Sequence, residues 1–336
     1  MGLSYDGPFL IERMKDMKKA STVLAACTAV GAAVYAFHDG IHRALIKRDF
    51  TIPDAIAQII TSDDGSSEHE KKRVALENLT WLENYGYEKF YRVNERGQKL
   101  CGYLMKPEKE SKIYVFGAHG YRSDGRGEWC HYAKHWVEEM GYNMFFVDHQ
   151  AAGESDGEYI GFASHESKDA VKWIDFMLEE FGRDIQIILH GISMGSTTVM
   201  LMTGSGKLPD NVRFTVADCG FTSAYDEFAC KLDALHMPEA SLSFVNAINR
   251  KKAGYDFRKD TNALEAVAKA KIPMLFIHGG KDDFVPTYMV YQLHEACSSE
   301  YKDILIVPEA DHARSYYFGK KEYDEKTCEF IKKFID

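Results

Sequence analysis

A serine between two glycines stands where an apolar segment gives way to a helical one. Residues 191–195 have the sequence Gly-Ile-Ser-Met-Gly, after the apolar run 185–189 and before the helical stretch 196–202. G-x-S-x-G in this context is typical of a nucleophile on a sharp, strained turn, where only small flanking residues fit. Such a turn lifts the hydroxyl above the sheet and aims the next helix's N-terminus at a developing oxyanion. Ser193 is therefore the candidate nucleophile.

The same pattern occurs a second time, in residues 153–157, with the sequence Gly-Glu-Ser-Asp-Gly. Here residues 148–152 separate it from the preceding apolar strand, and 158–161 do not begin a helix. The context that supports a nucleophile is absent. We interpret this segment, with Ser155, as a polar loop.

A serine hydroxyl needs a histidine base, and the base needs a carboxylate that orients it. When the serine follows a strand in this way, the chain order is serine, acid, histidine. His312 follows the apolar run 304–307, and it is the candidate base.

The candidate acids also follow strands. Asp282 and Asp283 come after the apolar run 273–277, and Asp218 ends the run 214–217. The carboxyl ends of parallel strands share one edge of a sheet, where ligands bind. The residues alone leave the choice between Asp282 and Asp283 open, with Asp218 as an outside candidate.

Backbone N–H groups are expected to hold the oxyanion. One should belong to Met194, the residue after the nucleophile, and the other to Tyr121, in the loop after the apolar run 112–118. The Tyr121 hydroxyl is a further possible donor. His119 is expected to be a structural turn residue.

Apolar segments alternate with helical segments over most of the chain, which predicts a mostly parallel sheet covered on both faces. The strands are predicted within 87–94, 100–105, 112–118, 142–147, 185–189, 214–217, 273–277 and 304–307. Residues 222–261 interrupt the rhythm with helical character, and we interpret them as a cap over the sheet edge. The catalytic domain is predicted to span 87–336, after a helical linker over 46–86.

The N-terminal 45 residues look like a leader. Residues 20–37 contain no charged side chain and follow four basic ones, Arg13, Lys15, Lys18 and Lys19. This pattern predicts a membrane anchor with an extracytoplasmic catalytic domain. The alternatives are a cleaved signal peptide, a lipoprotein signal at Cys27, and a helix that packs on the protein, which would make the chain secreted or cytoplasmic.

Composition excludes a nucleic-acid partner. The 336 residues carry a formal net charge of −10, whereas phosphate binding needs a basic surface. The seven cysteines form no C-x-x-C pair and no zinc-ligand pattern, so we expect no metal and no cofactor. The sequence leaves the oligomeric state open.

From about residue 87 onward the chain resembles bacterial serine hydrolases of the α/β-hydrolase fold, in the serine-aminopeptidase-like and prolyl-oligopeptidase-like branch. The resemblance rests on matching segments in matching order: His119 to Tyr121, Asp148 with 153–155, 191–195, 278–286, and Asp311-His312. It implies Ser193, Asp282 and His312 as the catalytic triad, with Tyr121 and Met194 as oxyanion donors. One departure is Gln-Ala-Ala-Gly at 150–153, where many relatives have Arg-Gly-His-Gly.

The resemblance implies hydrolysis of a carboxylic ester or related acyl bond through an acyl-enzyme on Ser193. An acyl-aminopeptidase or dipeptidase activity is the second hypothesis. The others are a cofactor-free haloperoxidase or C–C hydrolase, and a catalytically silent binding protein. The expected partner is a small acyl ester or peptide substrate.

Overall fold

The protein is built around one eight-stranded sheet. A computed structural model describes residues 28–50, 68–234 and 236–335. The strands are β1 Glu88–Val93, β2 Lys99–Met105, β3 Ile113–Ala118, β4 Asn143–Asp148, β5 Gln186–Ile192, β6 Val212–Asp218, β7 Met274–Gly279 and β8 Lys302–Val307. Their order is β1-β2-β4-β3-β5-β6-β7-β8, with β1 and β2 antiparallel to their neighbours and the rest parallel.

Helices cover both faces of this sheet. They span 28–46, Glu68–Tyr85, Gly125–Trp129, Ser164–Glu180, Met194–Gly204, Ala224–Ala234, Glu239–Lys252, Ala263–Val267, Tyr288–Ala296, Ser315–Phe318 and Lys320–Phe334. Neighbouring strand residues point to opposite faces, so Phe145 packs in one core cluster and Phe146 in the other. This arrangement confirms the predicted fold, a mostly parallel sheet flanked by helices with a helical cap.

One predicted helix differs from the structure. Residues 127–140 have helical character in the sequence, but the structure forms a short helix, Gly125–Trp129, followed by a π-helical turn, His135–Glu139. Trp129 and Trp136 are both fully buried against the same core. The helix is interrupted where these two large side chains pack. The hydrophobic periodicity of the sequence does not reveal this interruption.

The predicted membrane anchor is wrong for the part of it that the structure describes. Residues 20–27 lie outside the described residues, and 28–37 form an exposed helix that continues to 46. No helix in the described ranges is long and apolar enough to cross a membrane. The physical reason is composition, because alanine contributes little to insertion and charged residues follow soon after. The predicted extracytoplasmic location rested on this anchor and is withdrawn with it.

The second half of this helix packs on the cap instead. The Asp39 carboxylate lies 2.6 Å from Lys252 Nζ, and buried His42 lies 3.3 Å from Asn249 Oδ1. Beyond the helix, Ile160 N–H donates to the Ile46 carbonyl at 2.7 Å. These contacts bring residues 39–46 over the carboxyl edge of the sheet.

Asp148, at the end of β4, ties together the loops at that edge. Its buried carboxylate accepts hydrogen bonds from Gly125 N–H, Glu154 N–H and the Tyr103 hydroxyl, each at 2.7 Å. Ser155 Oγ donates to the Asp148 carbonyl at 2.7 Å. The second G-x-S-x-G match is therefore a loop fastened to β4.

We expect Asp148→Ala to lower the free energy of unfolding by about 3–5 kcal/mol, because it leaves three donors without an acceptor, two of them, Gly125 N–H and the Tyr103 hydroxyl, in buried hydrogen bonds. Tyr103→Phe removes one of the same bonds and should cost only about 1 kcal/mol. Urea unfolding followed by circular dichroism measures both. Equal losses in the two variants would contradict the role assigned to Asp148.

Candidate active site

Ser193 stands on a turn with an uncommon backbone conformation. Its φ is 55° and its ψ is −117°, between β5 and the helix Met194–Gly204. Ser193 N–H donates to the Asp218 carbonyl at 2.9 Å, which fixes the turn against β6. A Cβ atom on Gly195 would overlap the Ala118 carbonyl, and one on Gly191 would overlap Gly195. The glycines are thus required by close packing of three backbone segments.

The structure places Ser193, His312 and Asp282 in one hydrogen-bonded chain. Ser193 Oγ lies 2.8 Å from His312 Nε2, and His312 Nδ1 lies 2.8 Å from Asp282 Oδ2. The three residues follow β5, β8 and β7, so the parallel order of these strands brings them to one edge. This is the geometry of a nucleophile, a base and an orienting acid.

Asp282 is held by its own loop. Its Oδ1 accepts from Val285 N–H at 2.8 Å and from Phe284 N–H at 3.1 Å, and its Oδ2 lies 3.1 Å from His278 Nε2. Burial opposes ionisation, but the imidazoles of His312 and His278 outweigh it and hold the pKa of Asp282 well below its usual range. The carboxylate is therefore charged at any pH at which the protein is studied.

The environment of His312 favours a stronger base. Burial alone would lower the pKa of its imidazole, but the adjacent Asp282 carboxylate outweighs burial and raises that pKa. Glu227 acts in the same direction, and Lys231 opposes it. The Phe284 ring lies 4.7 Å from the imidazole and covers one side of it.

The loop after β3 runs beside Ser193. A Cβ atom on Gly120 would lie 3.4 Å from the Ser193 Cβ, and Gly120 N–H donates to Glu128 Oε2 at 3.1 Å. Met194 is the first residue of its helix, where backbone N–H groups have no partner within the helix. Tyr121 follows Gly120 in the loop, and its hydroxyl donates to the Leu45 carbonyl. That hydroxyl is already used in this hydrogen bond. Of the groups of Tyr121, the backbone N–H therefore remains a candidate oxyanion donor, beside the N–H of Met194.

The two alternative acids, Asp283 and Asp218, differ from Asp282 in their surroundings. Asp283 is exposed. Asp218 is fully buried, and burial raises the pKa of its carboxyl to about 6. Within the described residues, the carboxylate that accepts a hydrogen bond from His312 Nδ1 is that of Asp282.

The other histidine and serine candidates are bound into the scaffold. His119 Nε2 accepts from His149 N–H at 3.0 Å, while His119 Nδ1 lies 2.8 Å from the Gly120 carbonyl. Ser155 Oγ accepts from Cys101 N–H at 2.9 Å in addition to its bond to Asp148. Neither side chain reaches the Ser193 hydroxyl.

Two groups of possible metal ligands occur among the described residues. Cys219, Asp282 and His312 place one ligand atom each within 4.8 Å, but burial raises the pKa of the Cys219 thiol well above its usual value, so it stays protonated. In the second group, His135, Glu139 and Asp324, Lys320 Nζ donates to both carboxylates. An ammonium group thus already sits where a metal ion would bind.

Sequence reasoning missed the residues that enclose Ser193. A cavity of about 30 Å³ is lined by Leu45, Tyr121, Phe162, Ser193, Phe221, Glu227, Phe228, Lys231 and Phe284. Glu227 and Lys231 come from the cap helix Ala224–Ala234, and Leu45 comes from the helix 28–46. Spacing from the motif gave no signal for these three residues, although Glu227 and Lys231 lie in the segment predicted as a cap.

A larger cavity lies on the other side of the His312 loop. It has a volume of about 440 Å³, and its lining includes Glu128, His131, Tyr132, Arg314 and Tyr317. Ser193, Asp282 and His312 do not line it. The enclosed space at the catalytic edge is therefore the small cavity.

We expect Gly195→Ala to lower the free energy of unfolding by about 3 kcal/mol or more, since overpacking against the Ala118 carbonyl cannot be relieved by a side-chain rotation. Gly40→Ala is the matched control, because nothing lies within 4 Å of a Cβ atom there. That change should be neutral or stabilise by about 0.5–1 kcal/mol. Thermal unfolding measures both, and similar midpoints would contradict the packing constraint.

Comparisons with known proteins bear on the fold and on the family. Two curated relatives are the protein YqkD of Bacillus subtilis (28% identical over 60% of this chain and 66% of its own length) and the α/β-hydrolase domain-containing protein WAV2 of Arabidopsis thaliana (22% identical over 59% and 63%). The matches thus span less than two thirds of each relative. The solved structure of the Pyrococcus furiosus esterase Pf2001 superposes with a TM-score of 0.62 at 21% identity, over 77% of this chain and 94% of that one. At that identity the likeness shows the fold.

The family comparison is more specific. The model of the prolyl oligopeptidase family of peptidases matches residues 132–336, which hold Ser193, Asp282 and His312. This match covers more than half of the 336 residues. The chain belongs to the prolyl oligopeptidase family, within the serine-type hydrolases of the α/β-hydrolase fold.

Proposed function

We propose that this protein hydrolyses a carboxylic ester through an acyl-enzyme on Ser193. The observation that carries the proposal is the continuous chain of 2.8 Å contacts from Ser193 Oγ through His312 to Asp282. A serine, an imidazole and a charged carboxylate in this order form an activated nucleophile.

The first step follows from these contacts. His312 Nε2 takes the proton of Ser193 Oγ as the oxygen attacks the ester carbonyl carbon, and Asp282 stabilises the imidazolium that forms. The backbone N–H groups of Tyr121 and Met194 hold the oxyanion. His312 then gives its proton to the departing alcohol oxygen, which leaves the acyl group on Ser193.

The second step regenerates the enzyme. A water molecule attacks the acyl carbon while His312 takes its proton, and the oxyanion is held by the same two N–H groups. Collapse of this intermediate releases the acid and returns the proton to Ser193. No step requires a group other than the side chains and backbone already described.

Peptide hydrolysis is the second candidate, and the family match favours it. The same side chains serve an amide, with His312 protonating a departing amine. The cavity that Ser193 lines is small, about 30 Å³, and this favours a short acyl group over a long side chain. Rates on matched ester and amide substrates with the same acyl group separate the two activities.

Fluorophosphonate probes test the nucleophile. We expect the full-length chain to be labelled and Ser193→Ala not to be labelled, because the probe reacts only with an activated serine. Ser155→Ala is the matched control, since Ser155 lies in the same sequence pattern but is bonded to β4 and β2. Labelling that persists in Ser193→Ala, or that is lost in a folded Ser155→Ala, would contradict the assignment. The full chain is required because Leu45 lines the site.

The pH dependence of hydrolysis tests the acid and base. Protonated His312 cannot accept the Ser193 proton, and its pKa is raised above the usual 6.5. Therefore kcat/KM should fall with decreasing pH, with a midpoint above 6.5. The charged groups that face His312 are Asp282, Glu227 and Lys231.

Asp282→Asn should lower that midpoint and reduce kcat by about 10⁴-fold, since the imidazole loses both its charge partner and its orientation. Asp283→Asn changes the neighbouring, exposed carboxylate and should leave the midpoint and the rate near those of the unmodified protein. If Asp283→Asn has the larger effect, the acid is misassigned.

A further inference from the structure

Glu227 is buried beside Ser193, and the proposed mechanism gives it no step. Its side chain is 3% exposed and lines the cavity that Ser193 also lines. In the described part of the chain, neither of its carboxylate oxygens accepts a hydrogen bond. A buried carboxylate without donors costs stability. The two Glu227 oxygens are therefore acceptors that a donor on a bound molecule could use.

The rest of the cavity cannot satisfy Glu227. Most of its lining is aromatic or aliphatic, and the Tyr121 hydroxyl is bonded to the Leu45 carbonyl. The one cation in the lining is Lys231, whose Nζ lies 3.5 Å from Glu227 Oε1, an ion-pair distance without hydrogen-bond geometry. Lys231 instead donates to the Phe284 carbonyl and lies over the Phe284 ring.

The charges favour a neutral donor. A substrate ammonium group bound at Glu227 would lie beside the Lys231 ammonium, which is already within ion-pair distance of Glu227, and two like charges repel each other. A hydroxyl group avoids this repulsion, since it donates to a Glu227 oxygen and accepts from Lys231. A cavity of about 30 Å³ accommodates a group of that size beside a short chain.

We propose that Glu227 and Lys231 make this hydrolase selective for esters of short hydroxy acids, whose acyl hydroxyl group binds between the two side chains. The acyl group is assigned to this cavity because it stays bonded to Ser193 after the alcohol has left, whereas the alcohol needs a path to solvent. The inference rests on the proposed hydrolysis at Ser193 and adds the substrate class to it.

The test compares 4-nitrophenyl glycolate with 4-nitrophenyl propionate, whose acyl groups differ only by a hydroxyl in place of a methyl group. Burial raises the pKa of Glu227 to about 7, so the assay is run near pH 8, where the carboxylate is ionised. The measured quantity is kcat/KM for the glycolate ester divided by kcat/KM for the propionate ester. Each variant's ratio is compared with that of the unmodified protein. Differences in the intrinsic reactivity of the two esters cancel in that comparison.

We expect Glu227→Met to lower this ratio by about tenfold or more, since a hydrogen bond to a charged group is lost and an apolar contact is gained. Glu227→Gln keeps an acceptor oxygen, so its ratio should lie between those of the unmodified protein and Glu227→Met. Asp233→Asn, on the exposed side of the same helix, is the matched control and should leave the ratio unchanged.

Thermal unfolding and fluorophosphonate labelling complete the experiment. Because Glu227→Met removes a buried carboxylate and also the ion-pair partner of Lys231, the midpoint serves only to show that the variant is folded at the assay temperature. An unchanged ratio in a folded variant that still labels at Ser193 would overturn the hydroxy-acid proposal alone. Failure of the unmodified protein to label would overturn the hydrolase activity and, with it, this inference.

Discussion

The backbone of Ser193 is the constraint on which the rest of the site depends. A φ of 55° is uncommon for a residue with a side chain, and its cost is offset only by surrounding packing. Here that packing comes from Ala118 at the end of β3 and from Asp218 at the end of β6. Because β5 lies between β3 and β6, the turn is clamped from both sides. A serine held in this way is already oriented before the reaction, so little conformational entropy is lost in reaching the transition state.

The same sheet order explains how distant residues meet. Ser193 and His312 are 119 positions apart and His312 and Asp282 are 30 apart, yet both contacts measure 2.8 Å. The strands β5 to β8 are parallel and consecutive in the sheet, so their carboxyl ends form one edge. Asp282 follows β7, the neighbour of β8, whereas the loop after β8 must reach back past the ends of β7 and β6 for His312 to contact Ser193. The short loop after β7 folds back on itself, and its N–H groups orient Asp282.

The sequence was most informative where burial is complete. Strands buried on both faces give continuous apolar runs, and the glycines around Ser193 mark a turn that tolerates no larger residue, so the sheet and this turn were predictable. The helix 28–46 was not, because its contacts to the cap depend on single polar residues such as Asp39 and His42. Its first part lacks charged residues, as an anchor does, but that absence does not say which surface covers a helix. Glu227 escaped prediction for a related reason: its helix is amphipathic, and an acid on such a helix ordinarily faces water.

Two buried carboxylates near His312 show how environment divides their roles. Asp282 accepts from Val285 and Phe284 N–H groups and contacts two imidazoles, so its pKa is depressed and its charge is permanent. Glu227 is as deeply buried but lacks such donors among the described residues, and its pKa is raised to about 7. Carboxyl groups whose pKa values are pushed apart in one site perform different tasks. In the proposed mechanism the satisfied carboxylate orients the base, and the unsatisfied one binds a donor that arrives with the substrate.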